Sequence, residues 1–100
     1  MTRRTYRIEW RPKAGDDLRA VVQHIAKDSP LRAEHFGQEI RDKTTPLARH
    51  PNLGHTGRPG LPANVRELVM HPNYIIFYRV LTKARIVEIL RMKHVAQQAP

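Results

Sequence analysis

Polar and apolar positions alternate at the start of the chain and then change to a helical spacing. Alternation over residues 5–10 places three large apolar side chains on one face, which predicts a half-buried strand. They are Tyr6, Ile8 and Trp10. From Pro12 to Lys27, apolar residues recur every three or four positions, which predicts an amphipathic helix with proline in its first turn.

A second helix is predicted to follow almost immediately. Ser29 has the hydroxyl of a good N-cap and Pro30 suits the first helical position, and helical spacing then continues to about Arg49. Pro46 disturbs this pattern because an interior proline removes a backbone hydrogen bond and clashes one turn back. We therefore expect a kink near Asp42–Lys43 or an early end to the helix. Two helices with so short a connection should form an antiparallel hairpin.

The second half of the chain has the pattern of a loop followed by strands. Residues 51–64 are rich in Gly and Pro and predict a loop. Three apolar segments follow, separated by turn-length gaps, and they predict an antiparallel meander. These segments are Val65–Met70, Tyr74–Leu81 and Arg85–Met92. The polar tail, residues 95–100, is expected to fray.

The predicted element order is β-α-α-β-β-β, within a single domain of residues 1–100. This order favours a two-layer α+β fold, with the helical hairpin on one face of a mostly antiparallel four-stranded sheet. The other face of the sheet is left open. An open sheet face on a basic protein is a natural binding surface.

The composition narrows the class of partner and of chemistry. A formal net charge of +9 favours a nucleic acid, an acidic protein or an anionic surface. The chain has no cysteine, and its histidines lack metal-ligand spacing, so we predict neither a metal site nor a cofactor. No apolar run approaches the roughly 20 residues of a membrane span. A cytoplasmic protein without a membrane partner is expected.

Six short segments carry a more specific signal when they are taken in order. They are Trp10–Ala14 with Asp17-Leu18, Pro51–Gly54, Gly57-Arg58, Arg66–Val69, Tyr74–Val80, and Val87–Arg91 closing on His94. Together with the element order, these segments resemble the ParE/RelE toxin superfamily over almost the whole chain. The resemblance implies the RelE-like fold and a growth inhibitor that an antitoxin neutralises. RelE-type members cut messenger RNA on the ribosome, whereas ParE-type members poison DNA gyrase.

Two departures favour the ParE branch of this superfamily. RelE-type toxins place an arginine where Ile75 stands here, and they tend to carry a tyrosine near the C-terminus, which this chain lacks after His94. The prediction is therefore a gyrase inhibitor bound by an acidic antitoxin, ParD-like or RelB-like. The alternative is a ribosome-dependent mRNA endonuclease. A simple nucleic-acid-binding module is a third possibility, but no predicted helix has a base-reading face.

The candidate site residues are basic. If the chain were a nuclease, we would expect Arg66, Arg91 and His94 to act in catalysis, because such groups can stabilise a phosphorane or move protons. The predicted target- or antitoxin-binding set is Arg58, Arg66, Arg79, Arg91, Lys93 and His94. Structural roles compete with these. Arg66 could pair with Glu67, with Glu88 or with an antitoxin carboxylate, Glu88 could pair with Arg66 or Arg79, and His94 could be a solvated strand end.

Overall fold

The computed structural model describes residues 5–96 and confirms the predicted order of elements. The elements are β1 (Arg7–Trp10), α1 (Pro12–Ala26), α2 (Pro30–Thr44), β2 (Val65–His71), β3 (Tyr74–Leu81) and β4 (Ile86–His94). β1 is shorter than predicted, because it begins at Arg7, and β4 is shifted towards the C-terminus. The predicted fraying concerns positions that lie largely outside the described residues.

The second helix ends early, as the proline suggested. Ser29 is its N-cap, and the Ser29 hydroxyl accepts a hydrogen bond of 3.2 Å from the backbone N–H of Arg32. α2 stops at Thr44, and Pro46 lies in a 3-10 turn, Thr45–Ala48. The α-helix therefore does not run to Arg49. A proline near the start of a new helical turn leaves no hydrogen bond unmade, which explains the change of helix type.

The sheet is mixed, with the strand order β1-β4-β3-β2. β2, β3 and β4 form the predicted antiparallel meander, whereas β1 pairs with β4 in parallel. The helical hairpin and strands β2 and β3 lie between these two strands in the sequence. The last strand thus returns beside the first, and the fold has two layers with α1 and α2 on one face of the sheet.

The helix-covered face contains the main core. Fully buried side chains from both layers meet there. The largest of them are Tyr78, Ile40, Leu47, Ile76, Ile89 and Val87.

A β-bulge in β4 determines what the other face presents. Phe77 pairs with Arg91 while Tyr78 pairs with Ile89, so Leu90 is one residue more than β3 can match. An extra residue reverses the alternation of side chains beyond it. Met92 therefore joins the core together with Ile89, while both Leu90 and Arg91 line the open side of the sheet.

Candidate functional site

The open face of the sheet carries a groove of about 770 Å³, which we call the sheet groove. Loop residues 58–64 form one wall, and strands β2, β3 and β4 supply the floor and the far side. Its apolar lining comes mainly from Leu61, Val65, Phe77 and Leu90. The lining cations are Arg58, Arg79, Arg91 and Lys93. The volume is in the range of sites that hold a small ligand or a few side chains of a partner.

The floor of the sheet groove is a second, smaller hydrophobic cluster. Val65, Ile75 and Phe77 are buried there although no helix covers them. Leu90 and Val95 pack against this cluster. The Arg58 guanidinium lies 5.7 Å from the centre of the Phe77 ring, in a cation–π contact. Loop residues and the Arg58 side chain thus cover the apolar residues on this side of the sheet. The two helices cover those on the other side.

Three of the cations that line the sheet groove are held by carboxylates of the same chain. Arg58 donates two hydrogen bonds of 2.7 Å to Glu67, and these bonds raise the pKa of Arg58. Arg79 donates one of 2.6 Å to Glu88 across strands β3 and β4. This is one of the two pairings predicted for Glu88, whose second neighbour is Arg11 at 3.8 Å.

Arg91 is the third of these cations, and its partner lies on the first helix. It donates hydrogen bonds of 2.7 and 3.0 Å to the carboxylate of Asp17, which also accepts the backbone N–H of Met92 at 2.9 Å. β1 pairs with β4 only as far as Ile89. Beyond that point β1 offers no partner to the backbone N–H of Met92, and the Asp17 carboxylate accepts its hydrogen bond instead. Burial raises the pKa of Asp17, but the hydrogen bonds from Arg91 and Met92 outweigh it and leave the pKa below its usual value.

Sequence reasoning missed the role of Asp17. The residue entered the sequence analysis only as part of the segment Asp17-Leu18, and its partner is 74 positions away. One sequence signal could have revealed the geometry. Val87 and Ile89 are core residues two positions apart, but the next core residue is Met92, and this step of three indicates a bulge in a strand.

Arg66 lies outside the sheet groove and pairs with neither predicted carboxylate. Its guanidinium donates to the backbone carbonyls of Asn52 at 3.2 Å and Gly54 at 2.7 Å. The Tyr78 hydroxyl anchors the same segment, since it accepts the Gly54 N–H at 2.7 Å and donates to the Pro51 carbonyl at 2.8 Å. Burial raises the pKa of Tyr78. Arg66 and Tyr78 therefore fix the start of the loop that walls the groove.

His94 is on the helix side of the sheet. Its ring packs edge-on against Tyr74 with centroids 5.2 Å apart, and its Nδ1 accepts the Ala96 N–H at 3.1 Å. Tyr74 in turn contacts Phe36 of α2 and His71. His94 is the last residue of β4, as its interpretation as a solvated strand end supposed, but it is only partly exposed because its ring packs on Tyr74. The structure brings four predicted site residues (Arg58, Arg79, Arg91 and Lys93) together, and leaves Arg66 and His94 elsewhere.

A second depression, the helix groove, lies between α1 and α2. Gly15, Leu18, Val22, Ala33 and Gly37 contribute its apolar part. Arg19, Glu34, Gln38 and Arg41 contribute the polar part. Leu18 is buried, while Val22 remains partly exposed, so part of the apolar stripe on α1 stays accessible to a partner.

Residues 5–96 contain neither a metal-site cluster nor a membrane-spanning helix. No group of three or more His, Asp or Glu side chains in this range could hold a metal ion. No helix in the same range is long and apolar enough to cross a membrane.

The same arrangement, a helical hairpin on one face of a small mixed sheet, occurs in solved structures of toxin–antitoxin systems. A ParDE system from P. aeruginosa has a chain that superposes with a TM-score of 0.73 at 29% identity, covering 90% of this chain and 96% of that one. The M. tuberculosis RelBE2 complex has a chain with a TM-score of 0.63 at 22% identity, covering 95% and 97%, and this supports the fold.

The sequence comparisons identify the family. Toxin RelE2 of Caulobacter vibrioides is 32% identical over 90% of this chain and 96% of its own length. The sequence-family model for the ParE toxin of the type II toxin–antitoxin system parDE matches residues 8–99 of this chain. The chain belongs to this toxin family, within the ParE/RelE superfamily. The resemblance seen in the sequence and the RelE-like α+β fold are thus confirmed.

Proposed function

We propose that this toxin arrests growth by binding DNA gyrase rather than by cutting messenger RNA, and that a ParD-like antitoxin neutralises it. One observation carries the choice of target. The three side chains that would have to cooperate in RNA cleavage, Arg66, Arg91 and His94, lie in three different environments.

Cleavage of RNA needs an acid, a base and a cation around one phosphate. Here Arg66 binds loop carbonyls, Arg91 binds Asp17, and His94 packs on Tyr74. Ile75 stands where RelE-type members have an arginine, and it is buried in the floor cluster. A phosphate on the open face would therefore meet apolar side chains and four cations, three of which already have carboxylate partners.

The antitoxin part of the proposal is supported by charge and by the helix groove. A net charge of +9 attracts an acidic chain, and apolar positions on α1 and α2 remain partly exposed for an amphipathic helix. The P. aeruginosa system that resembles this chain is a ParDE pair, which favours a ParD-like antitoxin over a RelB-like one.

Purified toxin added to gyrase and relaxed plasmid tests the target directly. We expect loss of supercoiling and accumulation of linear DNA in a gyrase-dependent cleavage complex. The parallel assay supplies ribosomes with a defined message and maps 5′ ends by primer extension. Unchanged supercoiling together with codon-specific cuts in the message would reverse the choice and make the chain an mRNA endonuclease.

A further inference from the structure

The loop that walls the sheet groove is fastened on the opposite face of the sheet. Arg66 of β2 and Tyr78 of β3 lie directly opposite each other in the strand register. Directly opposed residues of an antiparallel pair have their side chains on the same face. Tyr78 is buried in the core under the helices, so Arg66 also points to the helix-covered face, away from the groove.

Both side chains hold the same short piece of backbone. The Tyr78 hydroxyl accepts the Gly54 N–H at 2.7 Å and donates to the Pro51 carbonyl at 2.8 Å. The Arg66 guanidinium donates to the carbonyls of Asn52 at 3.2 Å and Gly54 at 2.7 Å. We call this set of hydrogen bonds the loop clamp. A Cβ on Gly54 would lie 2.8 Å from the Tyr78 ring, which explains why a glycine stands at the centre of the clamp.

From the loop clamp the chain runs around the outer edge of the sheet to the groove. β2 is an edge strand, and its residue Glu67 forms two backbone hydrogen bonds with His55, of 2.8 and 2.9 Å. The carboxylate of Glu67 then holds Arg58, where the groove wall begins. Arg58 is only four positions after Gly54, so the loop clamp determines where the wall starts.

Tyr78 is not a residue that a partner can touch in the folded chain, because it is 0% exposed. It was also not among the predicted site residues. Arg66 was among them, as a catalytic or binding residue, but its guanidinium is occupied by loop carbonyls on the side of the sheet away from the groove. The sheet groove collects four of the six predicted binding residues, and we take it as the surface through which the toxin acts.

We infer that Arg66 and Tyr78 are positioning residues of the toxin, which support growth arrest by fixing the wall of the sheet groove through the loop clamp. Neither residue touches the target or the antitoxin. The inference concerns the shape of the groove, so it holds whether the target is gyrase or the ribosome.

The test compares wild type, Arg66→Ala, Tyr78→Phe and the double variant, expressed from a titratable promoter in cells that lack the antitoxin. Immunoblots give the toxin level at which growth stops. Each single variant should raise that level about tenfold, which corresponds to roughly 1.4 kcal/mol. The double variant should be no weaker than the weaker single variant, because residues that act as one unit are not additive.

Hydrogen exchange of individual backbone amides distinguishes the loop clamp from a general loss of stability. In both single variants the Gly54 amide should exchange about tenfold faster, because either change loosens the same segment. Ile40→Val is the control, since Ile40 is 0% exposed in the main core and does not line the groove. It should lower stability while it leaves growth arrest and Gly54 exchange within about twofold of wild type. Urea unfolding of every variant checks that it is folded.

Similar losses in the two single variants, no further loss in the double variant and faster Gly54 exchange support the inference. If Arg66→Ala abolishes growth arrest and Tyr78→Phe retains it, Arg66 contacts a partner and the inference is overturned. It is also overturned if the two losses multiply in the double variant, if Ile40→Val weakens growth arrest as much as Tyr78→Phe, or if both single variants arrest growth like wild type. Intact gyrase supercoiling beside an active wild-type toxin would count against the proposed function and leave this inference standing.

Discussion

The two faces of the sheet bury apolar side chains in different ways. On one face, α1 and α2 cover the strands, and residues such as Ile76 and Ile89 are 0% exposed. On the other face, a glycine- and proline-rich loop and the side chain of Arg58 cover Val65 and Phe77 almost as completely. The helix side is closed by close-packed regular structure, whereas the open side is closed by irregular backbone and by the aliphatic stems and guanidinium groups of basic residues.

This difference explains why the open face can serve as a binding surface. Side chains under the two helices have little freedom to rearrange, because protein interiors are close-packed. A loop held by a few side-chain hydrogen bonds can leave a groove beside it, as residues 58–64 do here.

Neighbouring isoleucines of β3 allow the two faces to be compared directly. Ile76→Ala should lower the free energy of unfolding by about 2–5 kcal/mol, because it leaves a cavity under two helices. Ile75→Ala, on the open side, should cost roughly 1 kcal/mol less, since the loop and Val95 can relax into the space. Urea titration of both variants measures the difference. An equal or larger loss at Ile75 would mean that the open side is packed as rigidly as the helix side.

Two glycine-to-alanine substitutions should have opposite signs. A Cβ on Gly54 would lie 2.6 Å from the backbone oxygen of Glu67 and 2.8 Å from the Tyr78 ring, so Gly54→Ala should destabilise by about 1–3 kcal/mol. A Cβ on Gly15 in α1 would meet nothing within 4 Å, and Gly15→Ala should stabilise by up to about 1 kcal/mol. Thermal unfolding distinguishes them. A neutral Gly54→Ala variant would show that the loop anchor is not rigid.

The Asp17–Arg91 pair links the helix layer to the sheet groove and should make stability depend on pH. The folded pKa of Asp17 is lowered, so its contribution is fully present above the ordinary value of 3.8 and is lost as the pH falls through the folded pKa. Asp17→Asn should cost about 1 kcal/mol at pH 7, a modest figure because Arg91 is 39% exposed and water screens the pair.

The comparison with Asp16 controls for a general loss of charge. Asp16 pairs with Arg19 at the surface, where both side chains are more than half exposed. Asp16→Asn should change stability by less than about 0.5 kcal/mol. The free energy of unfolding of the wild type and of Asp17→Asn, measured from pH 7 down to acid pH, should become equal as the pH falls. A gap that persists at low pH would indicate that Asp17 acts by packing and not by its charge.

Much of the fold could be predicted because it depends on local spacing. The helical recurrence after Pro12, the cap at Ser29 and the stretch Tyr74–Leu81 each specify an element with little help from the rest of the chain. The pair Arg79–Glu88 was also within reach, because a short hairpin fixes which residues of β3 and β4 face one another. The parallel pairing of β1 with β4 was not, since nothing local brings those strands together.

The candidate site was predicted less well than the fold, and for a physical reason. Residue type identified the basic side chains, but not what each one binds. Arg66 was expected to pair with a carboxylate and instead holds the carbonyls of Asn52 and Gly54. A guanidinium has several donors and many acceptors within reach, so its partner depends on distances that only the folded chain sets.

The sequence alone determined the family, the order of the elements and the basic character of the protein. These properties reside in residue types and in their spacing along the chain. Only the tertiary structure decided which cations share a groove, because the bulge at Leu90 turns Arg91 and Lys93 towards the side where Arg58 and Arg79 lie. It also decided that three of the four are already neutralised, since ion pairs form between groups that are close in space, whether or not they are close in sequence.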